Sequence, residues 1–141
     1  MSSHGESRLS HKLQSSGDVS RRLDDLASLH DDWDSYGGAA PTAKSLAVAR
    51  DLLVTLDALL ASQTDCKVKL LHLGPLPTGG VQIEWRHAEV EVEVEVDPHG
   101  ELSYLLVERQ GDEERYHEEE HVSKQAIVNL IAGQQVLSER S

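Results

Sequence analysis

The sequence predicts an α+β domain: an antiparallel β-meander of four to five strands, with two N-terminal helices and one C-terminal helix packed mainly on one face. Three observations predict it. Apolar residues recur at three- and four-residue spacing from Val19 to Leu60, the signature of amphipathic helices. The period then changes to two, most regularly where Val90, Val92, Val94 and Val96 alternate with Glu89, Glu91, Glu93 and Glu95. Helical spacing returns after Ser123. Strands and helices do not alternate, so a doubly wound parallel sheet is excluded.

Residues 1–17 are polar and Ser-rich, with no apolar run of a secretory leader, and read as a mobile tail. Residues 18–141 read as a single domain, the number that 141 residues allow. Ser16 or Asp18 is placed to cap the first helix. Val19, Leu23, Leu26, His30 and Trp33 lie on one helical face, which predicts an end near 31–33, before Gly37-Gly38. Pro41 suits the first turn of a second helix, where its missing N–H costs nothing. Leu46, Ala49, Leu53, Leu56 and Leu60 form a stripe that Leu52 and Leu59 widen, predicting a helix from Thr42 to Ala61 that crosses the valine face of the sheet.

Lys67 to Leu73 reads as the first strand. The Gly- and Pro-rich run from Gly74 to Gly80 reads as a loop. Val81, Ile83 and Trp85 then alternate with Gln82, Glu84 and Arg86. In the next strand the valines share one face and the glutamates the other, the pattern of a sheet with one buried and one wet side. Asp97-Pro98-His99-Gly100 is the turn that follows. A three-residue loop closing on a left-handed Gly100 pairs Val96 with Leu102, Val94 with Tyr104 and Val92 with Leu106. A two-residue loop would put Glu93 opposite Tyr104, so the hydrophobic pattern selects the register. Gln110–Glu114 reads as a polar turn and Arg115–Glu120 as a short edge strand. Ser123 caps a last helix with Ile127, Leu130 and Ile131 on its apolar face and Gly133 weakening its end.

The chain holds 25 acidic and 13 basic residues. From Glu84 to Glu120 there are 14 acidic residues against three basic, so that stretch carries a net −11 of the total −12. The charge argues against nucleic acid as a partner. No apolar run approaches the roughly 18 residues of a membrane span, and a cytoplasmic location is expected. The single cysteine, Cys66, allows no internal disulfide, and as a lone thiol at a helix–strand junction it reads as packed. The localised negative field has two readings: a solubilising surface, or a surface that steers a basic protein partner.

Trp33-Asp34-Ser35-Tyr36-Gly37-Gly38, with Pro41 beyond it, and Pro77-Thr78-Gly79-Gly80-Val81-Gln82-Ile83-Glu84-Trp85 are the two most distinctive local patterns. Together they resemble a set of small bacterial and phage proteins that carry a Trp-Asp-Gly-Tyr-like turn and, later, a Gly-Gly-Val-x-Leu-Glu-Trp-like strand. Ser35 stands where that set usually has Gly, and Ile83 where it often has Leu. The resemblance spans roughly Leu26 to Tyr104. It implies a common small domain and carries over no catalytic residue.

Several of these residues bear on possible chemistries. His117-Glu118-Glu119-Glu120-His121 matches the H-E-x-x-H zinc pattern, which needs a helix. Here it precedes the Ser123 cap, leaving His117 and His121 as weak metal candidates. Asp32 and Asp34 begin a sequence like a calcium loop, but Ala43 stands where the closing Glu belongs. No nucleophile motif and no phosphate loop is present. The chain is therefore expected to be non-enzymatic, with no cofactor. The leading expectation is a binding module, in the manner of an antitoxin, an immunity protein or an inhibitor, using Glu84, Glu89, Glu91, Glu93 and Glu95 against a basic partner. The alternative is a small-ligand pocket built from Asp32, Trp33, Asp34, Tyr36, Glu84 and Trp85. Self-association through a free sheet edge or through the Leu-rich helix is a third.

Overall fold

A computed structural model of the chain describes residues 16–63 and 67–140. Nearly all of the predicted tail, and Cys66 with it, lie outside the described residues. The elements follow the predicted order: α1 (Ser16–Ala27), α2 (Ala43–Ala61), β1 (Lys69–Pro75), β2 (Val81–His87), β3 (Val90–Val96), β4 (Leu102–Gln110), β5 (Glu113–Val122) and α3 (Lys124–Arg140). The five strands form one antiparallel meander in sequence order.

One face of the sheet is the core. Leu73, Val81, Ile83, Trp85, Val92, Val94, Val96 and Leu102 are buried there, in one cluster with Leu23 and Leu26 of α1, Ala49, Leu52, Leu53 and Leu56 of α2, and Ile127, Val128 and Ile131 of α3. The helices thus share one side. The β3–β4 register is the predicted one, with Val96 opposite Leu102, Val94 opposite Tyr104 and Val92 opposite Leu106. Gly100 closes that turn at φ +87°, donating its N–H to Asp97 O.

Several boundaries differ from expectation for local reasons. Ser16 and Gly17 already belong to α1, and Asp18 sits in its first turn, where its charge complements the helix dipole. α1 stops at Ala27, short of His30 and Trp33. The carboxylates of Asp31, Asp32 and Asp34 take the N–H groups of Ala40, Gly37 and Gly38, and such local bonds compete with a helix. Pro41 precedes the helix it was expected to open: Thr42 is the N-cap, its hydroxyl accepting from Ser45 N at 3.0 Å. Leu59 lies on the outer side of α2 and is exposed. β1 begins at Lys69 and includes Gly74 and Pro75, which an edge strand tolerates. β5 is no short edge but ten residues long. The turn before it is cut to Gly111-Asp112, because Gln110 and Glu113 pair directly. Gly133 does not end α3, since a glycine costs about 1 kcal/mol inside a helix without blocking it.

The two distinctive sequence patterns meet in the fold. Ala39 bridges Thr78, Thr42 N donates to Gly79 O, and the buried Ser45 hydroxyl lies 3.1 Å from the same carbonyl. A Cβ at Gly80 would run into the Val96 carbonyl oxygen. Both motifs are corners, joining the start of α2 to the start of β2.

Candidate functional site

Among the described residues, no helix covers the second face of the sheet. Alternation along β2 and β3 sends Gln82, Glu84, Arg86, Glu91, Glu93 and Glu95 to it, because their neighbours face the core. Cross-strand partners share a face, so Ser103, Leu105, Val107 and Arg109 of β4 and Glu114, Tyr116 and Glu118 of β5 join them. Leu105 and Val107 are half-buried. They form an apolar strip with carboxylates on either side.

The carboxylates on this face are not equivalent. Glu91 lies opposite Arg86, with which it pairs, and it also accepts from Arg109 Nη1 at 2.7 Å. Arg109 reaches on to Glu114 Oε1 at 3.2 Å. The Arg109 bond first, then the Arg86 bond, hold the Glu91 carboxyl below its usual pKa. Glu84 and Glu93 are different. They stand directly opposite one another on β2 and β3, and among the described residues neither forms an ion pair. Burial, then the charges of Glu91 and Glu93, push the Glu84 pKa up. Burial, then Glu95 and Glu91, push the Glu93 pKa up. Gln82 Nε2 donates to Glu93 Oε1 at 2.8 Å, and His72 lies across from Glu84 on the β1 side.

Glu89 is not part of the row. Pairing runs from Val81 with Val96 to His87 with Val90. That leaves Ala88 and Glu89 as a two-residue turn, with Ala88 at φ +52°, and Glu89 contributes its carbonyl to Arg109 N. The row has three glutamates in β3, one of them neutralised. Sequence reasoning missed the two arginines, although the predicted β3–β4 register, extended, brings Arg109 beside Glu91. It also missed Leu105, Val107 and Tyr116, because attention to the buried face left β4's other side unread.

The residues of the aromatic-pocket alternative are not brought together. Trp85 is 4% exposed and faces the core, so Glu84 beside it points the opposite way. Trp33 is half-buried, its Nε1 donating to Ala39 O at 2.8 Å, while Tyr36 is 92% exposed. Asp32 and Asp34 spend a carboxylate oxygen on Gly37 N, and on Tyr36 N and Gly38 N. Those two backbone bonds, Tyr36 first, hold the Asp34 carboxyl below its usual pKa. Beside Trp85 is a space of about 10 Å³ among Val68, His87, Val90 and Ile131, room for roughly one water.

His117 and His121 lie on β5 and after its irregularity, not on a helix. The His117 ring lies 5.9 Å from that of Tyr104, tilted by 47°, with Nε2 3.3 Å from Glu119, whereas His121, at φ +53°, turns to Glu101 at 3.6 Å. No three His, Cys, Asp or Glu side chains gather in a metal-binding group among the described residues. None of the described helices is long and apolar enough to cross a membrane. No family model matches the chain, and neither a curated protein nor a solved structure shows significant similarity to it.

Proposed function

We propose that the protein is a non-enzymatic binding module that presents the helix-free, Glu-rich face of its sheet to a basic protein partner, in the manner of an antitoxin, an immunity protein or an inhibitor. One observation carries this reading. Among the described residues, Glu84 and Glu93 are set against each other with no ion pair of their own, next to a Glu91 that has two. Like charges directly opposite in a sheet are destabilising, and partial burial adds to the cost. A lysine or arginine from a partner would supply the missing cation, and the strip of Leu105 and Val107 would be covered with it. Glu84, Glu93 and Glu95 are the contact residues in this reading. Glu91 is the organiser that holds Arg86 and Arg109 in place, and Glu89 has no role on the face.

The test is fluorescence anisotropy of a labelled oligolysine peptide with the full chain, at about 50 mM and about 300 mM salt, which changes the screening length roughly twofold. Binding at the lower salt should weaken about tenfold in the double variant Glu84→Gln/Glu93→Gln, the loss of one good charge contact. It should weaken much less in Glu89→Gln. Equal binding by the double variant and the unaltered protein would sink the proposal.

A further inference from the structure

The two edges of the sheet are treated differently. On β1, Arg22 Nε donates to the Leu73 carbonyl at 2.9 Å, the register breaks between Leu70 and His72, the strand ends in Pro75, and α1 packs beside it. These features blunt an edge. On β5, nine of the ten residues are exposed, and there is neither proline nor lysine. Pairing with β4 is unbroken from Gln110–Glu113 to Tyr104–Glu119. Among the described residues no strand pairs with this edge, which presents a row of outward backbone groups.

We propose that this edge takes an extended, basic segment of another protein as a sixth strand, running along Glu114, Tyr116 and Glu118. The inference rests on the reading of the protein as a module for a basic partner, and adds a second contact for that partner, at the β5 edge of the same face. The backbone geometry selects those three residues. The two-residue turn at Gly111-Asp112 makes Gln110–Glu113 a hydrogen-bonded pair. In an antiparallel ladder such pairs alternate with pairs whose N–H and C=O groups point away. The outward groups on β5 are then those of Glu114, Tyr116 and Glu118. The side chains of these same residues lie on the helix-free face.

Charge selects the occupant. From Glu113 to Glu120 the strand carries five glutamates against one arginine. A second copy of this chain would bring the same charges to the edge and be repelled, whereas a basic strand is attracted. Strand addition draws affinity from the main chain and specificity from alternate side chains. Opposite Glu114, Tyr116 and Glu118, those alternate positions call for a cation, an apolar residue and a cation. Tyr116 is 65% exposed and stands opposite Val107, with Leu105 one step along, so an apolar side chain has a surface to cover. On the other face of β5, Arg115 and His117 stand at the two positions between these, with His117 Nε2 3.3 Å from Glu119, so a lysine placed there meets an arginine and an already occupied glutamate. The pattern reads the same in either strand direction.

Two labelled peptides of equal composition test this, one containing Lys-Thr-Val-Thr-Lys and the other Thr-Lys-Val-Lys-Thr. Only the first places both lysines on the same face as the valine. With the full chain at low salt, the first peptide should bind about tenfold more tightly, one charge contact's worth. Its addition should slow amide exchange at Glu114, Tyr116 and Glu118. Glu118→Pro removes an outward N–H and should abolish binding, whereas Glu118→Gln should weaken it only about threefold, as expected for one rim charge. Should Glu118→Pro fail to fold, the exchange footprint on the unaltered protein decides the matter. Equal affinity for the two peptides with no slowing in β5 overturns the edge while leaving the acidic face intact as a binding surface. Failure of both peptides to bind overturns the edge and the module reading together.

Discussion

Ile83 and Glu84 are neighbours on β2 and live in opposite worlds. Ile83 is fully buried under the helices, across from Val94, and every contact it makes supports the fold. Glu84 is half-buried on the open face, across from Glu93, in a setting that disfavours its charge. One strand therefore carries stability on one side and an unrelieved electrostatic cost on the other. The two nearby arginines, Arg86 and Arg109, both bond to Glu91 and neither bonds to Glu84 or Glu93.

The largest test of that contrast is truncation on the buried side. Ile83→Ala should lower unfolding free energy by about 3 kcal/mol, from lost apolar contact and the cavity left behind, as read in urea denaturation. A loss no larger than that of an exposed substitution would mean that the core has been misplaced. Next comes the arginine that separates the two kinds of glutamate. Arg109→Ala removes the bonds to both Glu91 and Glu114 and should cost less than the core truncation, a network of partly exposed pairs being modest. It should also raise the Glu91 pKa, since the Arg109 bond is the main force lowering it.

The smallest effect has the opposite sign. Glu84→Gln should stabilise the protein by about 0.5 kcal/mol at neutral pH, by ending a like-charge pairing. The pH dependence follows from the direction of the shifts. With folded pKa values raised, the native state holds the Glu84 and Glu93 protons more tightly than the unfolded chain does. These two groups therefore favour folding at low pH, and that contribution is lost as pH rises from the usual glutamate range through the raised folded values. Glu91, with its lowered value, acts in the other direction, losing stability as pH falls through its folded pKa. The double variant Glu84→Gln/Glu93→Gln should accordingly lose less stability than the unaltered protein between about pH 4.5 and pH 7. Identical slopes in thermal melts would contradict the assignment.

The architecture was legible because β3 states its own geometry: strict alternation of valine and glutamate fixes both faces, and the turn at Gly100 then fixes the register of β4. The end of α1 was not legible. His30 and Trp33 keep the helical spacing, and only the capture of loop N–H groups by Asp31, Asp32 and Asp34 reveals that the chain has turned. β5 was under-read for a related reason. Its side chains are charged on both faces, so no apolar period marks it, while its backbone bonds to β4 depend little on what the side chains are. The acidic face was foreseen as five glutamates, Glu84, Glu89, Glu91, Glu93 and Glu95, with no distinction among them. Its division into a paired Glu91, an unpaired Glu84 and Glu93, and a turn residue Glu89 depends on which cross-strand neighbour each one meets, and that information sits in β2 and β4.

The most direct measurement is an NMR titration of the Glu84 and Glu93 side-chain carboxyls, in the free protein and with the oligolysine peptide in excess. The account predicts midpoints above the usual glutamate range in the free protein, and a fall of both midpoints when the peptide's lysines provide the missing cations. Midpoints that are ordinary in the free protein, or that stay where they are while the peptide binds, would contradict it.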